Sequence, residues 1–272
     1  MKSSDLFSVR DLVTVVTGGA SGIGYSYAEV MADNGAVVTV IDRDAAALPP
    51  VVEKLKKLGA QAFGEVADVT DKAALARAFD AVAKRHGRID VVFANAGISG
   101  GPGFLNAKGE RDDARTIEAL PEDLWDRVMA VNLKSCFSTI QLAAQHMKKT
   151  GGGRIVVTSS VSATKNEQYV GTIYVTSKAG VAQMVRQAAF ELAAYNIRVN
   201  AIAPGPCVTN IGGGRLQDKS AQDFFGALHP NHRMALPEDM QGAALYLASQ
   251  ASRHVTGAHI VIDGGFRLGE AD

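Results

Sequence analysis

Cysteine is nearly absent: the 272-residue chain holds two, Cys136 and Cys207, too few and too isolated for a disulfide framework or a zinc site. That scarcity fits a reducing compartment. Neither charge is in excess, because 28 Lys and Arg balance 28 Asp and Glu. With no net positive field and no Lys/Arg-rich run, nothing in the chain calls for nucleic acid as a partner. Long apolar runs are missing as well: no stretch approaches the roughly 20 residues that span a bilayer. At the start, Lys2, Asp5, Arg10 and Asp11 interrupt any leader-like segment. The expectation is a soluble, cytoplasmic protein. Without repeats, low-complexity tracts or linkers, residues 1–272 read as one domain.

What the chain does contain is ordinary for a globular α/β protein: 47% hydrophobic and 21% charged residues. Short β-branched runs at 13–17, 37–41, 89–93, 155–158, 197–202 and 259–262, with a weaker one at 61–66, read as strands. Their continuous apolar character implies burial on both faces, and the intervening dozen or more residues serve as crossover helices. The predicted fold is therefore α/β, a Rossmann-like doubly wound parallel sheet of about seven strands with helices on both faces. Asp71 opens a helix toward His86, Pro121 one toward Lys149, and Pro237 the last. Residues from about 205 to 235, including Gly212 to Gly214, have the length and composition of a lid.

Directly after the first strand comes Thr17-Gly18-Gly19-Ala20-Ser21-Gly22-Ile23-Gly24, and a helical stripe continues through Tyr27, Val30 and Met31. Strand, glycine turn and helix in that order create a helix N-terminus whose free N–H groups and positive dipole end favour a pyrophosphate. Gly18, Gly22 and Gly24 let backbone approach phosphate and helix approach sheet. Asp42 ends the second strand, where a carboxylate accepts hydrogen bonds from an adenosine ribose and repels a 2′-phosphate. NAD is thus expected over NADP, while Arg43 behind it is the cation that could pair with phosphate. Helix capping is the plainer use of Asp42.

Tyr174 and Lys178 lie four positions apart on a helix whose apolar stripe runs through Val181, Val185, Ala188 and Leu192. A lysine on a buried face is costly unless its charge has a use. Beside a tyrosine it has one, since an ammonium lowers a phenol's pKa and readies it for general acid/base work. Asn132 interrupts the stripe Val128, Met129, Cys136, Phe137, Ile140, Met147, and Ser159 and Ser160 follow a strand at the edge where parallel sheets bind ligands.

Taken together, TGGASGIG at 17–24, Asp68-Val69, NAG at 95–97, Asn132, Ser160, YVTSK at 174–178, RVNAIAPG at 198–205 and TGAHIVIDGG at 256–265 resemble the single-domain short-chain dehydrogenase/reductase family over nearly the whole chain. The resemblance implies a catalytic tetrad of Asn132, Ser160, Tyr174 and Lys178. It implies adenine contacts from Asp68 and Val69, and Asn95, Ala96 and Gly97 at the adenine ribose. The nicotinamide carboxamide falls to Thr209 and the backbone of Val208, and Ser21, Ile23, Pro204 and Gly205 complete the cofactor set. Tyr174 then moves the substrate proton, Lys178 lowers the tyrosine pKa and binds the nicotinamide ribose, and Ser160 steadies the substrate oxygen. Asn132 holds a water on a relay from Lys178. Ser160 stands fourteen positions before Tyr174, so Ser159 and Ser162 stay open as alternatives.

The expected activity is NAD-dependent interconversion of a secondary alcohol and a ketone, with a slight lean toward a sugar or polyol from the polar segment Thr164 to Gln168. The alternatives are an NADPH-dependent ketoreductase of the 3-oxoacyl or steroid type, and a non-catalytic dinucleotide sensor. No metal is expected, because His229 and His232 lack a third ligand at suitable spacing. Cys207 reads as a small buried thiol, and the charged run 110–115 as solvated surface. By analogy with the family, the helices at 121–149 and 174–195 and the segment after Gly265 suggest a homotetramer.

Overall fold

The computed structural model describes residues 2–269; residues 270–272, part of the C-terminal segment expected at an interface, lie outside them. After a one-turn helix α1 (Ser3–Leu6), strands and helices alternate: β1 (Val13–Thr17), α2 (Gly22–Asp33), β2 (Val37–Asp42), α3 (Leu48–Lys57), β3 (Ala62–Val66), α4 (Lys72–His86) and β4 (Val91–Ala94). The second half holds α5 (Glu122–Met129), α6 (Ser135–Met147), β5 (Gly153–Thr158), α7 (Thr172–Leu192), β6 (Ile197–Pro204), α8 (Lys219–Ala227), α9 (Gln241–Ala248) and β7 (His259–Ile262). Among the described residues the seven strands form one parallel sheet in the order β3-β2-β1-β4-β5-β6-β7. The order reverses between β1 and β4, which opens a crevice at the strands' carboxyl ends.

Both faces of the sheet are covered, as the β-branched runs require. Leu75, Phe79, Ile140, Met147, Val181 and Val185 from α4, α6 and α7 pack against Val15, Val92 and Val157 on one face. On the other, Tyr27 and Met31 of α2, Leu55 of α3 and Leu247 of α9 meet Val16, Val38 and Val40. Each such fully buried side chain contributes about 1.5–3 kcal/mol.

Strands β1 and β7 fall where the sequence puts them, but β4 begins two residues later than expected. Asp90 turns its carboxylate onto the Val13 N–H at 2.8 Å and pairs with Arg88, so it anchors the strand's entry. Asp71 caps α4 by accepting from Ala73 and Ala74. The rod from Pro121 is interrupted by a π turn at Ala130–Lys134. Four-residue steps from Val128 through Asn132 and Cys136 to Ile140 would drift by about 120° on a straight α-helix, and the wider turn absorbs that drift. Phe137, expected in the stripe, is instead exposed, because the next residue round from Cys136 faces outward.

Candidate active site at the carboxyl edge of the sheet

A cavity of about 1010 Å³ runs along the crevice from the glycine turn to the β6–α8 connection. At one end lies the N-terminus of α2. Ser21, its N-cap residue, makes no side-chain capping bond, so the first-turn N–H groups face the cavity unclaimed by a cap. Gly18 and Gly22 have φ of +64° and +54°, and a Cβ on Gly24 would stand 2.1 Å from the Gly18 carbonyl oxygen. Gly24 therefore serves helix-to-turn packing and does not line the cavity, unlike Gly18, Ser21, Gly22 and Ile23.

Beyond the turn, Asp42 caps no helix: its Oδ2 accepts from the Ala20 N–H at 3.1 Å and its Oδ1 from Asp44. Arg43, Asp68 and Val69 line the same wall. The Thr70 hydroxyl and N–H hold the Asp68 carboxyl below its usual range, with a smaller contribution from the Arg43 charge. Asn95 spends its side chain on the protein itself, donating to the Thr17 and Gly18 carbonyls and accepting from Thr158 Oγ1 at 2.9 Å. Ala96, Gly97, Pro204, Gly205 and Thr209 complete the expected set along the cavity. Val208 does not line it, and its N–H is taken by the Ala235 carbonyl at 2.9 Å. An uncapped helix N-terminus, glycines that admit no Cβ, and a carboxylate at the end of β2 fit a dinucleotide.

Three of the four polar residues singled out in the sequence, Ser160, Tyr174 and Lys178, line the cavity, and the fourth, Asn132, is buried behind them. Lys178 is 4% exposed, donates to the Thr158 carbonyl at 2.8 Å, and places its Nζ 5.6 Å from the centre of the Tyr174 ring. Asn132 sits in the π turn with its amide fully used: Ile98 N–H donates to Oδ1 at 2.8 Å, while Nδ2 donates to Ile98 O and Ser177 Oγ at 3.0 and 3.1 Å. Gly97 lies between Asn132 and Lys178, since an added Cβ would be 3.4 Å from Oδ1 and 3.8 Å from Nζ.

Two serines at the end of β5 separate cleanly. Ser159 pairs with His259 Nε2 at 2.9 Å, whereas Ser160 donates to Ser162 Oγ at 3.1 Å and lies near enough to the Tyr174 phenol to lower its pKa. All three serines that sequence spacing leaves open, Ser159, Ser160 and Ser162, line the cavity, with Ser159 turned to His259 and Ser160 to Ser162.

Electrostatics depart from expectation. Burial pushes the Tyr174 phenol up to about 12, against the Ser160 bond that lowers it and with the Glu167 charge raising it further. Burial also drives the Lys178 ammonium down to about 8. Burial is the largest cause of both shifts.

Residues that sequence inspection does not single out also reach the cavity, among them Arg127, Tyr169, Leu216 and Phe266. Phe266 carries a readable signal, as it follows the turn at the carboxyl end of β7; the others sit on loops or at helix ends with none. The 205–235 segment is pinned at its base, where Ala235 N–H donates to Pro206 O and Val208 N–H to Ala235 O. Within it Gly212, Gly213 and Gly214 take φ of +71°, +78° and +80°, backbone open chiefly to glycine. His229 spends Nδ1 on the Phe225 carbonyl at 2.6 Å, and His232 is exposed.

A family profile described as enoyl-(acyl carrier protein) reductase matches residues 18–267. The chain is 33% identical over 268 residues to an NAD-dependent glycerol dehydrogenase of Listeria innocua serovar 6a, covering 96% of each. Among solved structures, it superposes with a TM-score of 0.86 and 32% identity on a short-chain type dehydrogenase/reductase from Mycobacterium marinum, over 98% of this chain and 99% of that one. A 7α-hydroxysteroid dehydrogenase complexed with NADH and 7-oxo glycochenodeoxycholic acid superposes with a TM-score of 0.85 at 33% identity, over 97% of this chain and 98% of that one.

Proposed function

The chain belongs to the short-chain dehydrogenase/reductase family and is an alcohol oxidoreductase, and on that premise we propose that it interconverts a secondary alcohol and a ketone with NAD, using Tyr174 as general acid/base. The observation that carries this reading is the convergence of Tyr174, Lys178 and Ser160 on the cavity that begins at the glycine turn, with Asn132 buried behind them and tied to Ile98 and Ser177. A nicotinamide bound there supplies the two-electron acceptor or donor for the carbinol carbon.

The protein's own part is positional and protonic. Tyr174 Oη takes the substrate hydroxyl proton, and Ser160 donates to the substrate oxygen as it gains carbonyl character. Lys178, anchored on Thr158 O, supplies a proton site near neutrality beside the phenol. Asn132 fixes the Ile98 backbone against α7. Both Nδ2 protons are used in these bonds, and the relay water expected at this point is held by main-chain groups of the π turn.

The rest of the reading follows from the same site. Asp42 at the end of β2 supports NAD; Arg43 on the same wall supports NADPH as the second reading. A neutral, hydroxyl-bearing substrate is favoured, in keeping with the glycerol-acting relative. Residues 1–272 act as one cytoplasmic domain, with 205–235 as the lid over Tyr174. Exposed Trp125, Phe137 and Phe190 on α5, α6 and α7 support pairing of these helices in a homotetramer; elution as a concentration-independent monomer refutes it.

The test is NADH absorbance during incubation with secondary alcohols and polyols, in wild type and Tyr174→Phe. Turnover that falls by about 10²-fold or more in the variant is expected. Tight NAD binding with no turnover across the panel refutes the enzyme and leaves a dinucleotide sensor.

A further inference from the structure

The substrate end of the cavity contains a carboxylate that the reaction as described does not use. Glu167 lies on the connection between β5 and α7 and lines the cavity. Its Oε1 accepts from Ser162 Oγ at 3.3 Å, and Ser162 in turn accepts from Ser160 Oγ at 3.1 Å; Ser160 and Tyr174 line the same cavity. Oε2 has no protein partner among the described residues. None of the ion pairs among the described residues engages Glu167. Lys165, the nearest cation in sequence, donates to the Phe266 carbonyl at 2.9 Å and lies 3.7 Å above the Phe266 ring; its charge lowers the Glu167 pKa without forming an ion pair.

The carboxylate is also held in place. Leu105 N–H donates to Gln168 O at 3.0 Å and Gly171 N–H to Gly101 O at 3.2 Å. A Cβ on Gly103 would stand 2.2 Å from Gln168 O, so the 100–105 loop is packed tightly onto the segment that carries Glu167. Such a carboxylate is unfavourable in isolation: burial raises its own pKa, and its charge raises that of Tyr174, opposing the ionisation the reaction needs. A ligand that donates to it relieves both effects.

Resting on the function proposed above, we propose that Glu167 is a specificity-determining residue that accepts a hydrogen bond from a hydroxyl on the carbon adjacent to the reacting carbinol, making vicinal diols and polyols the substrate class. In the Ser160, Ser162, Glu167 row the carboxylate lies two hydrogen bonds from Ser160, at 3.1 and 3.3 Å. Neighbouring hydroxyls of a polyol present the same succession, the reacting oxygen at Tyr174 and Ser160 and its neighbour at Glu167. An ammonium is the other natural ligand of a carboxylate, but the aromatic faces that would add a cation–π contribution are already engaged. Here Lys165 covers Phe266, and Tyr169 is packed edge to face with Phe224 and Phe225 at 5.1 and 6.2 Å. An anionic hydroxy acid would be repelled.

The experiment compares kcat/KM for butane-2,3-diol, butan-2-ol, 3-aminobutan-2-ol and 3-hydroxybutanoate with NAD, in wild type, Glu167→Gln and Glu167→Ala. The diol is expected to exceed butan-2-ol by about 100-fold or more in wild type, because a site built around a hydroxyl rejects the analogue lacking it. Both variants should compress that ratio by about 10- to 100-fold, and any change that loss of the Glu167 charge makes through Tyr174 is common to diol and mono-ol and cancels in the ratio. Equal wild-type rates for diol and mono-ol, or a ratio that neither variant changes, overturns the assignment. So does a preference for the amino alcohol or the hydroxy acid. Failure of the parent reading looks different: no alcohol turns over, or turnover survives Tyr174→Phe, and both proposals then fall together.

Discussion

Replacing Asn132 with Ala tests whether this side chain is the tie between the β4 exit and α7. Asn132 is 2% exposed, and its loss strands three groups: the Ile98 N–H, the Ile98 carbonyl and the Ser177 hydroxyl. A buried polar group left without its partner costs about 1–3 kcal/mol. The Ser177 hydroxyl still has the Tyr174 carbonyl at 2.7 Å, so the two Ile98 groups dominate and the expected loss is about 2–4 kcal/mol. For a chain of this size each kcal/mol moves Tm by about 2–4 °C, which predicts a drop of about 4–16 °C by calorimetry at fixed pH. Asn132→Asp should lose at least as much, since it keeps an acceptor for the Ile98 N–H but sets an oxygen against the Ile98 carbonyl. An Ala variant that melts within about 2 °C of wild type refutes the reasoning.

Three further outcomes are expected. The folded pKa of Lys178 is depressed from 10.5 to about 8, so between those values the unfolded chain binds the extra proton and wild-type stability rises with pH. Across that window wild type should gain about 3 kcal/mol relative to Lys178→Met, and parallel stability curves in guanidinium titrations would contradict this. Asp42→Ala removes the charge that opposes a 2′-phosphate and should move the NAD-to-NADP ratio of kcat/KM tenfold or more toward NADP; an unchanged ratio rejects the role given to Asp42. Ser160→Ala should lower kcat by about 10²- to 10³-fold, whereas Ser159→Ala, whose hydroxyl faces His259, should stay within about threefold. Equal losses would show that the two serines have been assigned wrongly.

The fold was legible because parallel strands buried on both faces advertise themselves as β-branched runs, and β1 and β7 begin and end where those runs do. Boundaries failed where a side chain overrode the run, as at Asp90, or where backbone geometry changed, as at the π turn that sends Phe137 outward. Tyr174, Lys178, Ser160 and Asn132 were legible as polar residues on apolar faces or at strand ends. Glu167 was visible only as one of several polar residues on a loop, because nothing in sequence tells which loop residue turns inward. The direction of the Tyr174 shift was misread for a related reason. Spacing gives the neighbour at one helical turn, but desolvation is a property of everything packed around both groups.

That difference bears on how the site is built. The ammonium of Lys178 is oriented by the Thr158 carbonyl, not by the phenol. Thr158 Oγ1 donates to Asn95, and Asn95 holds the carbonyls of Thr17 and Gly18. One continuous set of hydrogen bonds thus links the lysine on α7 to the glycine turn after β1, crossing the ends of β5 and β4. Asn132 adds a second brace from the π turn to Ile98 and Ser177. Main-chain acceptors at strand ends are among the least mobile groups in a parallel sheet, so the interval between the proton-handling pair and the helix N-terminus is fixed before any ligand arrives. Preorganisation of that kind lowers the reorganisation needed during reaction. It also explains why the chain tolerates a desolvated lysine and a phenol displaced from neutrality: the geometry is secured by bonds that neither group's protonation state breaks.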